Sequence, residues 1–162
     1  MSAARGAVTA ERRRSAIMRL APELLASTTL VVETGGAGFT EITPDAAGFV
    51  AEVGGRDGVL LMFMRHTSAS LVIQENADPD VQTDLTTALA RVAPADAGWV
   101  HDVEGPDDMP AHVKTMLTGI SLHVPVAAGK LALGTWQGIY VAEHRARPHR
   151  REVVLQFIGS QG

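Results

Sequence analysis

The residues able to do chemistry in this 162-residue chain concentrate between Arg65 and Arg145. Four of its six histidines sit in dense polar motifs: His66 in HTSAS, His101 in HDVEGPDD, His112 in MPAHVK and His144 in EHR. Imidazole is the usual neutral nitrogen ligand for zinc and the usual proton shuttle near neutrality. No pair has the H-x-x-x-H spacing of a helical zinc motif, so a metal centre would have to be assembled from separate elements; the alternative is that these rings are structural or exposed. HTSAS offers the hydroxyls of Thr67, Ser68 and Ser70 around the small Ala69, a set that either holds a phosphate or stabilises a strand bend. No G-x-S-x-G elbow surrounds either serine, which argues against a serine nucleophile.

Carboxylates follow in QENADPD and HDVEGPDD: Glu75, Asp78, Asp80, Asp102, Glu104, Asp107 and Asp108. Such groups bind magnesium or act as acid and base. Asp78 before Pro79 reads as a helix N-cap, and one of Asp107 and Asp108 reads as the cap of a helix opening at Pro110, which leaves Glu75 and Glu104 the freer candidates. GTWQGIYVAEHR alternates as a strand, with Trp136, Tyr140 and His144 on one face and Thr135, Gln137, Glu143 and Arg145 on the other. Gly134 and Gly138 leave room there for another backbone or a ligand.

The elements that must position these groups are legible in outline. Residues 1–27 are rich in Ala and Arg and lack strand periodicity, so they read as an N-terminal extension, either disordered or partly helical with a short helix near Ile17 to Leu25, and the domain proper as 28–162. STTLVVET reads as a strand running into a glycine turn. Thr43-Pro44 opens a helix that buries Phe49, Val50 and Val53. Val59 to Met64 is apolar on both alternating faces, as a central strand is, and His66 stands where it emerges. Asp78-Pro79 opens a second helix with Val81, Leu85, Ala88, Leu89 and Val92 at helical spacing. A third runs from Pro110 through Leu117 to Gly119. SLHVPV, KLALGTWQGIYVAEHR and REVVLQFIG then follow as strands. Strands grouped at the end favour an α+β fold with a largely antiparallel sheet over a regularly alternating parallel one.

Composition excludes several classes. A length of 162 residues fits one domain, and 46% apolar residues suffice for a core. Fourteen Lys+Arg against eighteen Asp+Glu, a net charge of −4, provide no global field for nucleic acid. Arg12–Arg14 reads as a solvated tail. No window approaches the ~20 apolar residues of a membrane span, and Arg19, Pro22 and Glu23 break any signal-peptide core. The absence of cysteine removes disulfides, thiolate nucleophiles and Cys-type zinc sites, and fits a reducing cytoplasm.

HTSASLVIQENADPDVQTDL, HDVEGPDDMPAHVK, SLHVPV and LGTWQGIYVAEHR, in this order, closely resemble the YjbQ-like family, also described as the secondary thiamine-phosphate synthase family. The resemblance runs from about Leu30 to Gly159. It implies a single sheet-rich α+β sandwich with two to three helices, a homotrimer, and a weak or secondary transferase activity that joins a pyrimidine diphosphate to a thiazole phosphate. There a divalent metal, zinc or magnesium, would neutralise the departing diphosphate.

Carried over position by position, the resemblance implies a metal centre of His66, His112 and His144. It marks His101, Asp102 and Glu104, then Asp107 and Asp108, and then Trp136 and Gln137 as family motifs. The resulting expectation is a small phosphorylated metabolite as partner, with Glu75, Glu104, His101 and Asp108 as catalytic groups and Ser68, Ser70, Lys114, Trp136, Gln137 and Arg145 contacting substrate. His123 and His149 receive no role. The alternative is a small-ligand or metabolite-binding trimer without significant turnover.

Overall fold

The computed structural model describes residues 14–162. Residues 1–13, and with them Arg12 and Arg13 of the basic tail, lie outside the described residues. Eight strands and three helices follow in the order β1 (Leu24–Glu33), β2 (Gly38–Glu41), α1 (Thr43–Glu52), β3 (Gly55–Met64), β4 (Ala69–Glu75), α2 (Pro79–Val92), α3 (Asp108–Thr118), β5 (Ser121–Ala127), β6 (Lys130–Leu131), β7 (Gln137–Glu143) and β8 (Arg150–Gln161). Every strand pairing is antiparallel, and the fold is α+β as the grouping of strands implied.

Two sheets form, one of five strands in the order β1-β8-β3-β5-β6 and one of three in the order β2-β7-β4. Strand periodicity decides which face each side chain takes. From the large sheet Leu60, Met62, Met64, Val153, Leu155 and Phe157 turn inward, and Leu71, Ile139 and Val141 meet them from the small sheet, with Ala46, Phe49 and Val50 of α1 closing the layer. The other row of the small sheet, which carries Ser70, Tyr140 and Ala142, lies on the side of α2 and α3. Its central strand β7 is therefore covered on both faces: Gly138 through Glu143 are all buried.

Helix starts obey local chemistry in part. Asp78 caps α2, its Oδ1 accepting from the Asp80 amide at 2.9 Å. Asp107 occupies the N-cap position of α3, but neither it nor Asp108 makes the expected side-chain cap, because both carboxylates are taken by Arg145.

Two further expectations fail. Residues 14–23 carry no regular element and Leu24 and Leu25 are strand, so the helix near Ile17 to Leu25 is absent. β8 is long enough to pair with β1 from Leu24↔Gly159 to Glu33↔Arg150, and these ladder bonds override local propensity. The strand expected from Lys130 through Arg145 is broken after Leu131. The Gly134 amide donates to Gln137 Oε1 at 2.8 Å and the Gln137 amide to the Gly134 carbonyl at 3.0 Å, closing a turn.

Candidate functional site

Chain segments distant in sequence meet at the end of the small sheet where β4 begins and β7 ends. The α2–α3 connection brings His101, α3 brings Asp108 and His112, the residue after His144 brings Arg145, and the β3–β4 connection brings the Thr67 carbonyl. Asp108 and His112 are four residues apart and so project from one face of α3. His101, Asp108 and His112 each offer one ligand atom, all within 4.8 Å of one another, the one such group of three or more among the described residues.

The details orient each atom. Asp108 is 2% exposed. Its Oδ2 lies 2.8 Å from His101 Nε2 and 3.3 Å from His112 Nε2, while Arg145 Nη1 donates to Oδ1. Arg145 Nε also donates to Asp107 Oδ2 at 3.1 Å, and Nη2 to the Glu104 carbonyl at 2.7 Å. Gly105, at φ +110°, turns the chain between Glu104 and Asp107 in a backbone region L side chains rarely adopt, so the loop can present both groups to the one guanidinium. Burial would raise the Asp107 carboxyl, but hydrogen bonds from Arg145 and the Ala146 amide prevail and hold it below its ordinary range. The same bond to Asp107, together with the charges around it, raises Arg145.

His112 Nδ1 is 2.9 Å from the Thr67 carbonyl oxygen. A carbonyl can only accept, so Nδ1 carries the proton and a neutral ring presents a lone pair at Nε2. That lone pair faces a carboxylate oxygen. Two acceptors stand opposite each other unless the ring becomes imidazolium or a cation lies between them. Two imidazole nitrogens and one carboxylate oxygen form a donor set suited to zinc, with the second ring nitrogen held by a carbonyl as is usual for metal-bound histidine.

The metal set expected from the resemblance is divided by the structure. His112 stands in the trio, but His66 Nε2 accepts from the Glu152 amide at 2.9 Å. His144 is 4% exposed, with Nε2 2.8 Å from Ser70 Oγ. Burial lowers the His66 ring, Arg151 adding to it. Burial, then Lys114, pushes His144 down to about 4. Thr118 Oγ1 lies 2.6 Å from Ser70 Oγ and 2.7 Å from the Lys114 carbonyl, so Ser70 belongs to a buried hydroxyl chain. Lys114 is half-buried, and desolvation lowers its ammonium. With His144, Glu143, Thr86 and Phe39 it lines a cavity of about 20 Å³, the space of one water.

Of the remaining candidates, His101, Asp108 and Arg145 meet at the trio, and Glu104 stands at its rim, its side chain 68% exposed and 3.9 Å from Arg145. Ser68 is committed elsewhere: its Oγ accepts from Arg151 Nη2 at 3.1 Å. Glu75 pairs in register with Gln137 at the opposite end of the small sheet, whereas Ala69 pairs with Glu143 near the trio. Six residues of strand, about 20 Å, separate those ends. Glu75, Trp136 and Gln137 are therefore not brought to the trio within this chain: Gln137 closes its turn, and Trp136 is 65% exposed.

An ion pair that sequence reasoning missed anchors the same end of the fold. Arg151 donates to Glu143 through Nε at 2.7 Å and Nη2 at 2.6 Å, both side chains almost fully buried, and Thr34 Oγ1 donates to Glu143 at 2.8 Å. Burial opposes the Glu143 charge, yet these bonds keep its carboxyl below the ordinary value. The i, i+4 spacing of Asp108 and His112 was the one local signal for the trio; nothing local pointed to Arg151.

Comparison with known proteins agrees with this architecture. Residues 28–160 match the family described as UPF0047 protein YjbQ-like. A UPF0047 protein of Synechocystis is 47% identical over 131 residues, covering 80% of this chain and 89% of its own. The UPF0047 protein YjbQ of Escherichia coli O157:H7 is 37% identical over 132 residues, covering 81% and 96%. The crystal structure of an uncharacterised YjbQ/UPF0047 protein from Clostridium acetobutylicum superposes with a TM-score of 0.75 at 38% identity, over 80% of this chain and 98% of that one. A YbjQ-like protein of unknown function from Sulfolobus solfataricus gives a TM-score of 0.79 at 24% identity, over 85% and 99%, and speaks for the fold alone. The chain belongs to the YjbQ-like UPF0047 family.

Proposed function

We propose that His101, Asp108 and His112 hold a divalent cation of the zinc type, and that the site acts on a small phosphorylated metabolite. The observation that carries this is the His112 Nε2 lone pair set 3.3 Å from Asp108 Oδ2 by the Nδ1 bond to Thr67, an arrangement a shared cation would complete. The nitrogen-rich donor set favours zinc over magnesium, which prefers oxygen ligands and keeps its waters.

A cation held there would supply positive charge to a phosphate oxygen. The chain's own groups do the rest. Arg145 fixes the Asp108 carboxylate, Thr67 fixes the His112 ring, and Glu104 is the acidic group at the rim that Arg145 leaves freest to move a proton. The finer reading from the motif resemblance is thiamine-phosphate synthesis: a pyrimidine diphosphate joined to a thiazole phosphate with loss of diphosphate. The competing reading, a metabolite-binding protein without turnover, draws on the commitment of both Asp107 and Asp108 to Arg145, which leaves few free carboxylates for acid–base work.

The test is zinc affinity by calorimetry, together with metal content of purified protein, for the wild type and for His101→Ala, Asp108→Asn and His112→Ala, with Arg145→Ala as a supporting-residue control. Loss of stoichiometric zinc in the three ligand variants and a drop of about 10–100-fold for Arg145→Ala are expected. Unchanged affinity in the ligand variants defeats the reading, and formation of thiamine phosphate from the two half-molecules separates turnover from binding.

The homotrimer is likewise a proposal. Its support is the outward face of the large sheet, which no element among the described residues covers and where Leu25, Val31 and Phe63 are exposed beside the half-buried Leu61, Val154 and Ile158. Apolar side chains exposed on an open sheet face offer a surface for another chain. Phe63→Lys is expected to shift the mass in light scattering from trimer to monomer; an unaltered trimer, or a monomeric wild type, removes this face as the interface.

A further inference from the structure

The Thr67 backbone ties two histidines together. His66 precedes it in the chain, and His112 Nδ1 donates to its carbonyl. Both rings line one open pocket of about 360 Å³, within the size range of small-molecule sites, whose walls also include Thr115, Met116 and Ile120. The two neutral rings share one tautomer, with the proton on Nδ1. His112 uses Nδ1–H internally. His66 accepts the Glu152 amide at Nε2, so its neutral ring carries the proton on Nδ1, and among the described residues that N–H has no acceptor.

A second partnerless group lies in the same wall. Thr115 is 7% exposed and its Oγ1 is the one buried side-chain polar atom, among the described residues, without a hydrogen bond. A threonine in a helix has two accessible χ1 wells, so its hydroxyl can reorient toward an occupant. Buried polar groups are satisfied in the great majority of native sites. Among the described residues no Lys or Arg lines the pocket, so its chemistry suits a neutral acceptor better than an anion.

We propose that this pocket is a binding subsite for a small molecule with a flat apolar body and one neutral hydrogen-bond acceptor, a ring nitrogen or carbonyl oxygen. The acceptor takes the His66 Nδ1–H, and the body lies against Met116 and Ile120. Because His112 walls the pocket and also belongs to the candidate metal trio, the subsite would place the rest of the molecule at that trio; this extension rests on the function proposed above, whereas occupancy of the pocket does not.

The experiment uses the full chain, stripped of metal with a chelator, and compares pyridine with benzene, two probes of one shape that differ in the acceptor. Shifts of the Met116 and Ile120 methyl groups and of the His66 ring nitrogens are followed by NMR. Pyridine is expected to bind in this pocket about fivefold to tenfold tighter than benzene, the worth of one hydrogen bond. His66→Phe is expected to abolish that preference. Met116 is 78% exposed, so Met116→Lys leaves the core intact and is expected to weaken both probes. Equal affinities in the wild type, shifts outside this pocket, or binding of neither probe would overturn the proposal. Asp108→Asn separates the two ideas: it removes zinc binding if the trio is a metal site, and leaves pyridine binding in place.

Discussion

Replacing His144 by glutamine removes a titrating ring while leaving an amide able to bond Ser70. Burial, reinforced by Lys114 and Arg151 and opposed by Glu143, takes the His144 pKa from 6.5 to about 4. A difference of that size is worth about 3 kcal/mol between the protonation states. The folded protein prefers the neutral ring, so this stability is fully present above the unfolded value of 6.5 and is lost as pH falls through the folded value of about 4. Linkage then puts the loss between pH 7.5 and 5 at about 2 kcal/mol, and a chain of this size would melt about 4–8 °C lower.

The assay is urea unfolding of wild type and His144→Gln at matched protein concentration and ionic strength across that range. The wild type should lose its advantage over the variant by about 2 kcal/mol on going to pH 5. His66, also lowered by burial, titrates in both proteins and cancels in the comparison. Parallel pH curves for the two proteins would refute the reasoning, because they would mean that the ring carries no proton penalty in the fold.

Two further changes probe the frame around the site. Glu143→Gln leaves the Arg151 guanidinium buried with its charge uncompensated, and is expected to cost about 3–5 kcal/mol in denaturant titrations. Glu143→Met with Arg151→Met should recover most of that, and equal losses in single and double variants would rule out an uncompensated charge as the cause. Gly58→Ala sets a Cβ 2.2 Å from the Ile158 carbonyl oxygen, beside the register shift where β3 pairs with β8. A destabilisation of about 1–3 kcal/mol is expected from thermal melts, and a neutral substitution would mean that the strands separate there at no cost.

Local signals in the sequence were accurate where the neighbouring residues decide the outcome. Pro44 and the Asp78-Pro79 step start helices where the chain places them, and the doubly apolar Val59 to Met64 run is a central strand. They failed where a distant strand intervenes. Leu24 to Ser27 pair with β8 because β8 offers unpaired backbone groups along its length, not because of their own propensity.

The site divides in the same way. The histidines and carboxylates of the HTSAS, HDVEGPDD and MPAHVK motifs could be named as chemistry-bearing residues, but spacing does not say which nitrogen faces which oxygen. Trp136, Gln137 and Glu75 looked equal to Arg145 and Asp108 until the register of β4 on β7 set them about 20 Å apart.

The sequence by itself determined the kinds of groups available, the α+β class and the limits set by charge and the absence of cysteine. These follow from composition and from periodicities of a few residues. Only the tertiary structure decided that His101 joins Asp108 and His112 while His144 turns inward to Ser70 and His66 to the Glu152 amide. The physical reason is that a ring's role is fixed by its hydrogen-bond partners. Here those partners, the Thr67 carbonyl, Arg145, Ser70 and the Glu152 amide, come from segments that only strand pairing and the docking of α3 on the small sheet bring together.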